Sequence, residues 1–492
     1  MYLSAITRKE ILMQNSVLLA NFKRGYNKYE QFIKKFVYTD YYLILVSLLT
    51  FLGWVTKCAP FGLSVAIIII CLVLLGTDDI LPLTFNIFGA MLLIYSEDPK
   101  DYVYMWPMLI PMVICIVIFV VKNCRHRFSL GKMFFPQLAV SIALLLGGVG
   151  VISTQAYERT LLNCLLLGFG VLLVYVFYNH FLKRDDNRDY GAYFSRVMMY
   201  IGIIISLELI VHIIRSGIPS SQWAEAYWRI GWGSRNSIAT FLILTAGLTF
   251  YLSTQSRHGW VYLALGLLQY FCIIMTFSRG GIVFGAISGV LALIFTIVKA
   301  KDKKRQLIYT AVIVGFALIM YLIFMSRING MIASLISRGT GSSGRIDIYK
   351  EAWELFKTYP FQGGGMGFIG SSPFVNLNAL GQYWMHSTFF QVIACMGIIG
   401  LIAYLYYYGA RLFLLFKNIK NSFNLFVLAV WVGYEGYCLI DTGTFVPQNM
   451  MLIIVMTLIL ELNNAKKPSA ISELSNSEEY IYSANNHSEV NV

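Results

Sequence analysis

The chain has 492 residues, 58% hydrophobic and only 13% charged, with a mean hydropathy of +0.66. A soluble domain carries about 25% charge and at most about half apolar residues, so soluble enzyme folds, disordered chains, coiled coils and disulfide-rich secreted scaffolds are all excluded. The apolar content is enough for about fourteen helical spans of about 20 residues, and the net charge of +13 reads first as topology, not as nucleic-acid binding.

Residues 1–40 form a polar, basic tail with no short apolar core and no small-residue cleavage site, expected to be retained and cytosolic. Apolar helices are expected at about 41–56, 61–76, 80–95, 103–121, 133–152, 160–182, 197–214, 236–253, 259–276, 281–298 and 307–325, then at 384–409, 422–440 and 446–461. The predicted fold class is an all-α polytopic transmembrane bundle of about fourteen spans. Twelve or thirteen stay open, because the first three stretches are short and closely spaced. Eleven spans fill 41–325, a loop occupies 326–383, and three spans fill 384–461. The polar, Ser/Asn-rich segment 462–492 is expected to be a disordered cytosolic tail.

With the N-terminus inside, 26 of the 38 Lys and Arg fall in inner segments and 12 in outer ones, five of those in the long loop. Both termini are therefore expected in the cytosol and the loop outside. At 58 residues this loop far exceeds an ordinary helix connection. Within it, Arg345–Tyr359 has helical periodicity, with Ile348, Ala352, Leu355 and Phe356 on one face. The glycine-rich stretch Gly339–Gly344 precedes it as a hinge, and Pro360 with the run Gly363–Gly370 ends it.

The eight cysteines include no CxxC pair, so neither a zinc site nor a disulfide framework is signalled, and buried structural thiols are expected. Chemistry must come from costly polar groups at membrane depth or at span mouths. Several of these collect on the outer side. Arg235 stands in Gly231-Trp232-Gly233-Ser234-Arg235-Asn236 at the mouth of the eighth span, and Arg279 in Ser278-Arg279-Gly280-Gly281 in the tight break between the ninth and tenth. Arg345 opens the loop helix, and His386 begins the twelfth span. Arginine is permanently charged and forks onto phosphate oxygens, while histidine moves a proton near neutral pH. Three arginines and one histidine therefore suit transfer chemistry on a diphosphate lipid. Taken singly, an arginine at a helix end is more often a snorkelling anchor, and Arg279 argues best against that because its turn is so short.

Weaker candidates are Glu208, His212 and Arg215, which recur along the seventh span and read first as an internal ion-paired stripe. Glu435 and Asp441 flank the outer half of the thirteenth span, where pairing with an arginine is the simpler expectation and service as a base the other. Gly365-Met366-Gly367-Phe368-Ile369-Gly370 matches GxGxxG but follows no strand, so dinucleotide binding is rejected.

The ordered set Ser278-Arg279-Gly280, then Gly344-Arg345 with Trp353 and Tyr359-Pro360-Phe361-Gln362-Gly363-Gly364-Gly365-Met366-Gly367, then His386 and Gly397-Ile398-Ile399-Gly400, resembles the O-antigen ligase/Wzy polymerase family over roughly 230–410. The chain departs from it in having Ser387 after the histidine, where the family commonly shows Asn. The resemblance implies a membrane glycosyltransferase of the GT-C type in a bacterial cell membrane, inverting, and using no metal and no cofactor. Its donor would be a glycan on undecaprenyl diphosphate, and its acceptor a hydroxyl of a glycan or lipid core. A flippase and a chain-length regulator are the further partners it admits, besides membrane lipids and without nucleic acid. Carried over by residue, Arg235 and Arg279 would bind the diphosphate and Arg345 would contact donor or acceptor. His386 would be the catalytic histidine, acting on the acceptor proton or on the leaving phosphate. Polymerase and ligase differ only in the acceptor, and the absence of any acceptor-specific feature leans the reading toward a polymerase or a capsule- or teichuronic-type assembly role in surface polysaccharide. The alternative is a lipid-linked oligosaccharide flippase. That would spread cations through a central cavity between repeat halves, whereas here they cluster at outer span ends and no repeat is visible.

Overall fold

The computed structural model describes residues 20–96, 99–124, 129–150, 157–185, 187–223, 225–226, 228–323, 325, 329–330, 333, 344–366 and 384–465. The expected hinge residues 339–343, the glycines beyond Met366 and the tail from residue 466 fall outside these. Among the described residues the chain is helical apart from loops and one isolated bridge, between Arg229 and Ser234. The chain is an all-α polytopic membrane protein. Among the described residues seven helices are long and apolar enough to cross a membrane, or eight if one bent pair counts as a single span, and shorter apolar helices accompany them. Helix occupies part of every stretch that the sequence marks as apolar. The chain divides into two compact units, residues 1–127 with 181–183 and 230–232, and the remainder.

The first unit contains α1 (Ala20–Phe36), α2 (Asp40–Val55), α3 (Ala59–Gly76), α4 (Leu83–Leu92) and α5 (Leu109–Asn123). α1 lies within the segment expected as a plain tail, and it meets α2 at 84°. Its Tyr26 hydroxyl donates to the Leu75 carbonyl at 2.7 Å, and Ile33 is buried. Glu30, Lys34, Asp78 and Lys183 link in turn at 2.5, 3.1 and 2.8 Å. The helix escapes sequence reading because its short aromatic stripe alternates with cations and never builds an apolar run. α5 is its opposite: little of it is buried, and Leu109, Val113, Val117 and Val121 are exposed, as lipid-facing side chains are.

The second unit contains α6 (Phe134–Ala143, continued by a π turn to Gly148), α7 (Tyr157–Leu165), α8 (Val171–Phe181), α9 (Tyr190–Ser216), α10 (Arg235–Gln255), α11 (Gly259–Met275), α12 (Arg279–Lys299) and α13 (Lys303–Ile323). It continues with α14 (Arg345–Thr358), α15 (Thr388–Lys417), α16 (Ser422–Cys438) and α17 (Pro447–Ala465). At its centre stands α10, almost wholly buried among α9, α11, α12 and α16. Lipid supplies no hydrophobic force between helices, so polar bonds and close backbone approach hold them. Gln269 of α11 accepts from Thr245 at 2.9 Å and donates to Thr249 at 3.1 Å. α12 turns Gly281, Gly285, Ser288, Gly289, Ala292 and Thr296 inward as one stripe of small residues, while Val283, Ile287, Val290, Ile294 and Val298 are exposed.

α15 departs most from its expected form as a single span. Gly397 sits inside it at φ 60° and ψ −150°, a backbone state open essentially to glycine alone. The helix folds back there. Thr388 and Tyr408 both reach the Thr444 hydroxyl, at 3.2 and 3.4 Å, although twenty residues of straight helix would hold them about 30 Å apart. The backbone groups freed at the break are taken up by the loop segment after α14. Ile398 and Ile399 donate to the carbonyls of Pro360 and Phe361 at 2.8 and 3.1 Å, and Gly364 and Gly365 donate to those of Ala394 and Cys395 at 2.8 and 3.0 Å. Irregular backbone at membrane depth must be satisfied within the protein, and the motif glycines allow it by close packing. A Cβ on Gly397 would meet the Phe361 carbonyl at 2.5 Å. Gly397→Ala is therefore expected to cost at least about 1–3 kcal/mol, read as a lower thermal midpoint in detergent and a reduced membrane yield. An unchanged midpoint would show that the break is not needed.

Candidate active site

The four residues the sequence assigns to the site each lie at a helix mouth of the second unit. Arg235, Arg279 and Arg345 are the first residues of α10, α12 and α14, and His386 stands two residues before α15. Helix N-termini present unpaired N–H groups and a partial positive charge, so three such ends, each carrying an arginine, favour an anion.

Asp441, in the turn after α16, is where these segments converge. Its Oδ2 accepts from Asn236 Nδ2 at 3.0 Å and from the Tyr437 hydroxyl at 3.2 Å, and its Oδ1 accepts from the Thr442 amide at 2.7 Å. Ser278 Oγ donates to Asn236 Oδ1 at 3.0 Å and lies 3.2 Å from the Tyr437 hydroxyl. The neighbours of Arg235 and Arg279 are thus bonded to each other, and the first of them to the carboxylate. His386 Nδ1 lies 3.9 Å from Asp441 Oδ1, an electrostatic contact longer than a hydrogen bond. Burial would raise the Asp441 carboxyl, but the His386 imidazole, the Thr442 N–H and the charge of Arg345 outweigh it and hold the group below the ordinary Asp value. A depressed folded value means that the stability Asp441 contributes is present above about pH 3.9. It is lost only as the pH falls through that lower value.

The turn that opens α12 has a clear local cause. Ser278 caps the helix by accepting from the Gly281 amide at 3.4 Å, after Phe277 has taken φ 53° to reverse the chain. At Gly280, a side chain would strike Ile440 and the Tyr437 ring, so the glycine lets this turn lie against the end of α16 beside Asp441. His386 also holds a left-handed φ of 50°, which is uncommon in non-glycine residues and costs strain. Ser387 then caps α15, accepting from Phe390 N at 3.5 Å. Asparagine is an equally good cap, so the chain's departure from the family pattern preserves the local structure.

α14 brings its own groups to the histidine. Tyr349 donates to the His386 carbonyl at 2.9 Å, and its ring stacks on Phe390 with centroids 4.4 Å apart and planes at 12°. Ala352 and Leu355 are buried, as the amphipathic pattern predicts.

The remaining candidates divide. Glu435 does pair with an arginine: Arg411 Nη1 lies 2.7 Å from its Oε1, with the guanidinium buried over the Trp431 ring at 4.3 Å. The charge pattern places Arg411 among the inner cations that set the topology, but it lies inside α15. Asp441 is not so paired. Sequence reading misses its central place, with those of Asn236, Tyr437 and Tyr349, because Asn236 and Asp441 are 205 positions apart. The only local signal is a carboxylate one helical turn beyond a tyrosine. In α9, Glu208 is fully buried and His212 meets Trp228 edge-on at 5.9 Å. All eight cysteines are free, five of them buried. An apolar cavity of about 280 Å³ is walled by Thr388, Val392, Tyr404, Tyr408, Glu435 and Cys438.

No curated protein matches the chain. Residues 264–405, which include Arg279, Arg345 and His386 but neither Arg235 nor Asp441, match the family model described as O-antigen ligase. Over this stretch the chain is similar to the O-antigen ligase/Wzy-type family.

Proposed function

We propose that the chain is an inverting glycosyltransferase of a bacterial cell membrane, moving a glycan from undecaprenyl diphosphate to an acceptor hydroxyl on the outer face. One observation carries the reading: the half-buried Asp441 carboxylate accepts from Asn236, the neighbour of Arg235, lies 3.9 Å from a strained histidine and feels the charge of Arg345, while Ser278, the neighbour of Arg279, is bonded to Asn236. The O-antigen ligase domain supports its coarser part, glycan transfer at a membrane in polysaccharide ligation.

In this mechanism the acceptor oxygen bonds to the anomeric carbon as the bond from that carbon to the phosphate oxygen breaks. The acceptor proton passes to Nε2 of His386, because Nδ1 faces Asp441. The lipid diphosphate leaves with the bonding electrons, and Arg235, Arg279 and Arg345 face the charge that grows on it. In many transfer enzymes, fixed charge aimed in this way lowers the barrier more than any other effect, and it serves here without a metal. A single displacement inverts the anomeric carbon. Asp441 holds the imidazole in the tautomer that leaves Nε2 free to accept, a role known from other carboxylate–histidine pairs.

Asp441→Asn keeps the size and most of the hydrogen bonds but removes the charge, and is expected to slow transfer on the order of 10²-fold. The rate is compared at matched protein abundance, and a wild-type rate would remove Asp441 from the mechanism. The overall reading is tested by deleting the gene and sizing the lipid-linked and surface glycans. Accumulated single repeat units mean a polymerase, and full-length chains left on the lipid mean a ligase. Lipid-linked units trapped on the cytosolic face would overturn the reading in favour of a flippase.

A further inference from the structure

We infer that Tyr349 is a positioning residue that couples the loop helix to the histidine, its hydroxyl fixing the strained backbone of His386 so that the imidazole is aimed only while α14 is docked. This rests on the catalytic reading of His386 given above. A left-handed non-glycine residue persists only where its surroundings over-determine it. Here the surroundings include one strong directional contact, the 2.9 Å bond from the Tyr349 hydroxyl to the His386 carbonyl. The ring stacked on Phe390 then fixes where that hydroxyl can be, since Phe390 belongs to the first turn of α15.

Arg345 stands four residues before Tyr349, one turn back on the same face of α14. Its charge acts on both Tyr349 and Asp441, so the first turn of the loop helix lies within electrostatic reach of the site. Burial keeps the Tyr349 hydroxyl protonated and therefore a donor. At its other end α14 continues into Pro360–Gly365, which is bonded into the break of α15, and Leu355 packs where a side chain on Gly364 would stand. The helix is thus anchored at its C-terminal end, and its N-terminal turn meets the site through a cation and a tyrosine. An anionic donor that draws Arg345 down seats Tyr349 with it, and the histidine is aligned as a consequence of substrate binding. Closure of this kind excludes water and commits the substrate.

The test places the full chain in proteoliposomes with donor and acceptor lipids extracted from a strain lacking it. Tyr349→Phe keeps the stacking and loses the hydroxyl. Its kcat is expected to fall about tenfold with the donor KM within about twofold of wild type and the thermal midpoint unchanged. Tyr349→Ala, which loses both contacts, is expected to fall further. A wild-type kcat in Tyr349→Phe would overturn the inference, and so would a change confined to KM, the mark of a simple substrate contact. A loss explained by lower stability would do the same. His386→Ala is run beside them: if it remains active, the catalytic reading itself fails. If it is inactive while Tyr349→Phe is unimpaired, only this inference fails.

Discussion

Alanine at His386 is expected to abolish glycan transfer, a loss of at least roughly 10³-fold, with the protein still present in the membrane at its normal level. The size of the effect follows from the geometry. The imidazole has Asp441 at 3.9 Å on its Nδ1 side, its side chain is 38% exposed, and it stands at the mouth of α15 with the arginine-bearing turns nearby. No other described histidine shares that setting: His212 lies against Trp228, and His180 and His258 belong to segments read as inner. Alanine at φ 50° adds backbone strain of its own, so His386→Asn is the companion variant, because asparagine tolerates the left-handed region. Both should be inactive and both should fold. Surface or lipid-linked glycan of normal length in cells carrying either variant would take His386 out of the mechanism.

Arg279→Ala carries the second-largest expected loss, roughly 10²- to 10³-fold in transfer, from removing one cation of those proposed to face the leaving diphosphate. Its position explains why so much depends on a single side chain. Ser278 caps α12, Gly280 lets the turn lie against Tyr437 and Ile440, and the helix directs its N-terminus the same way as the guanidinium's own anchor point. The exposed side chain contributes little to packing, so the variant should reach the membrane in normal amount. Arg279→Lys separates charge from geometry. Lysine keeps the point charge and loses the fork that grips two phosphate oxygens, so an intermediate rate is expected. Were Arg279 only a snorkelling anchor, lysine and alanine would both transfer normally, and that outcome would sink its role as a diphosphate ligand.

The spans are legible in the sequence because a bilayer forces the issue: lipid bonds no backbone group, so unless another segment of the protein takes up its polar groups, an apolar run of sufficient length is held to a helix. α14 is legible from its period, as buried Ala352 and Leu355 confirm. Arg235, Arg279, Arg345 and His386 stand out because charge at a span mouth is costly and therefore visible in a chain with so little of it. α1 is not legible, since interleaved cations hide its short apolar stripe. Only the tertiary structure shows that α15 breaks at Gly397, because an isolated glycine in an apolar helix is common and the acceptors and donors that stabilise the break come from Pro360–Gly365. The place of Asp441 is decided in the same way. Its partners Asn236 and His386 are brought to it by helix packing across as many as 205 positions of chain, and local periodicity carries no information about contacts of that range.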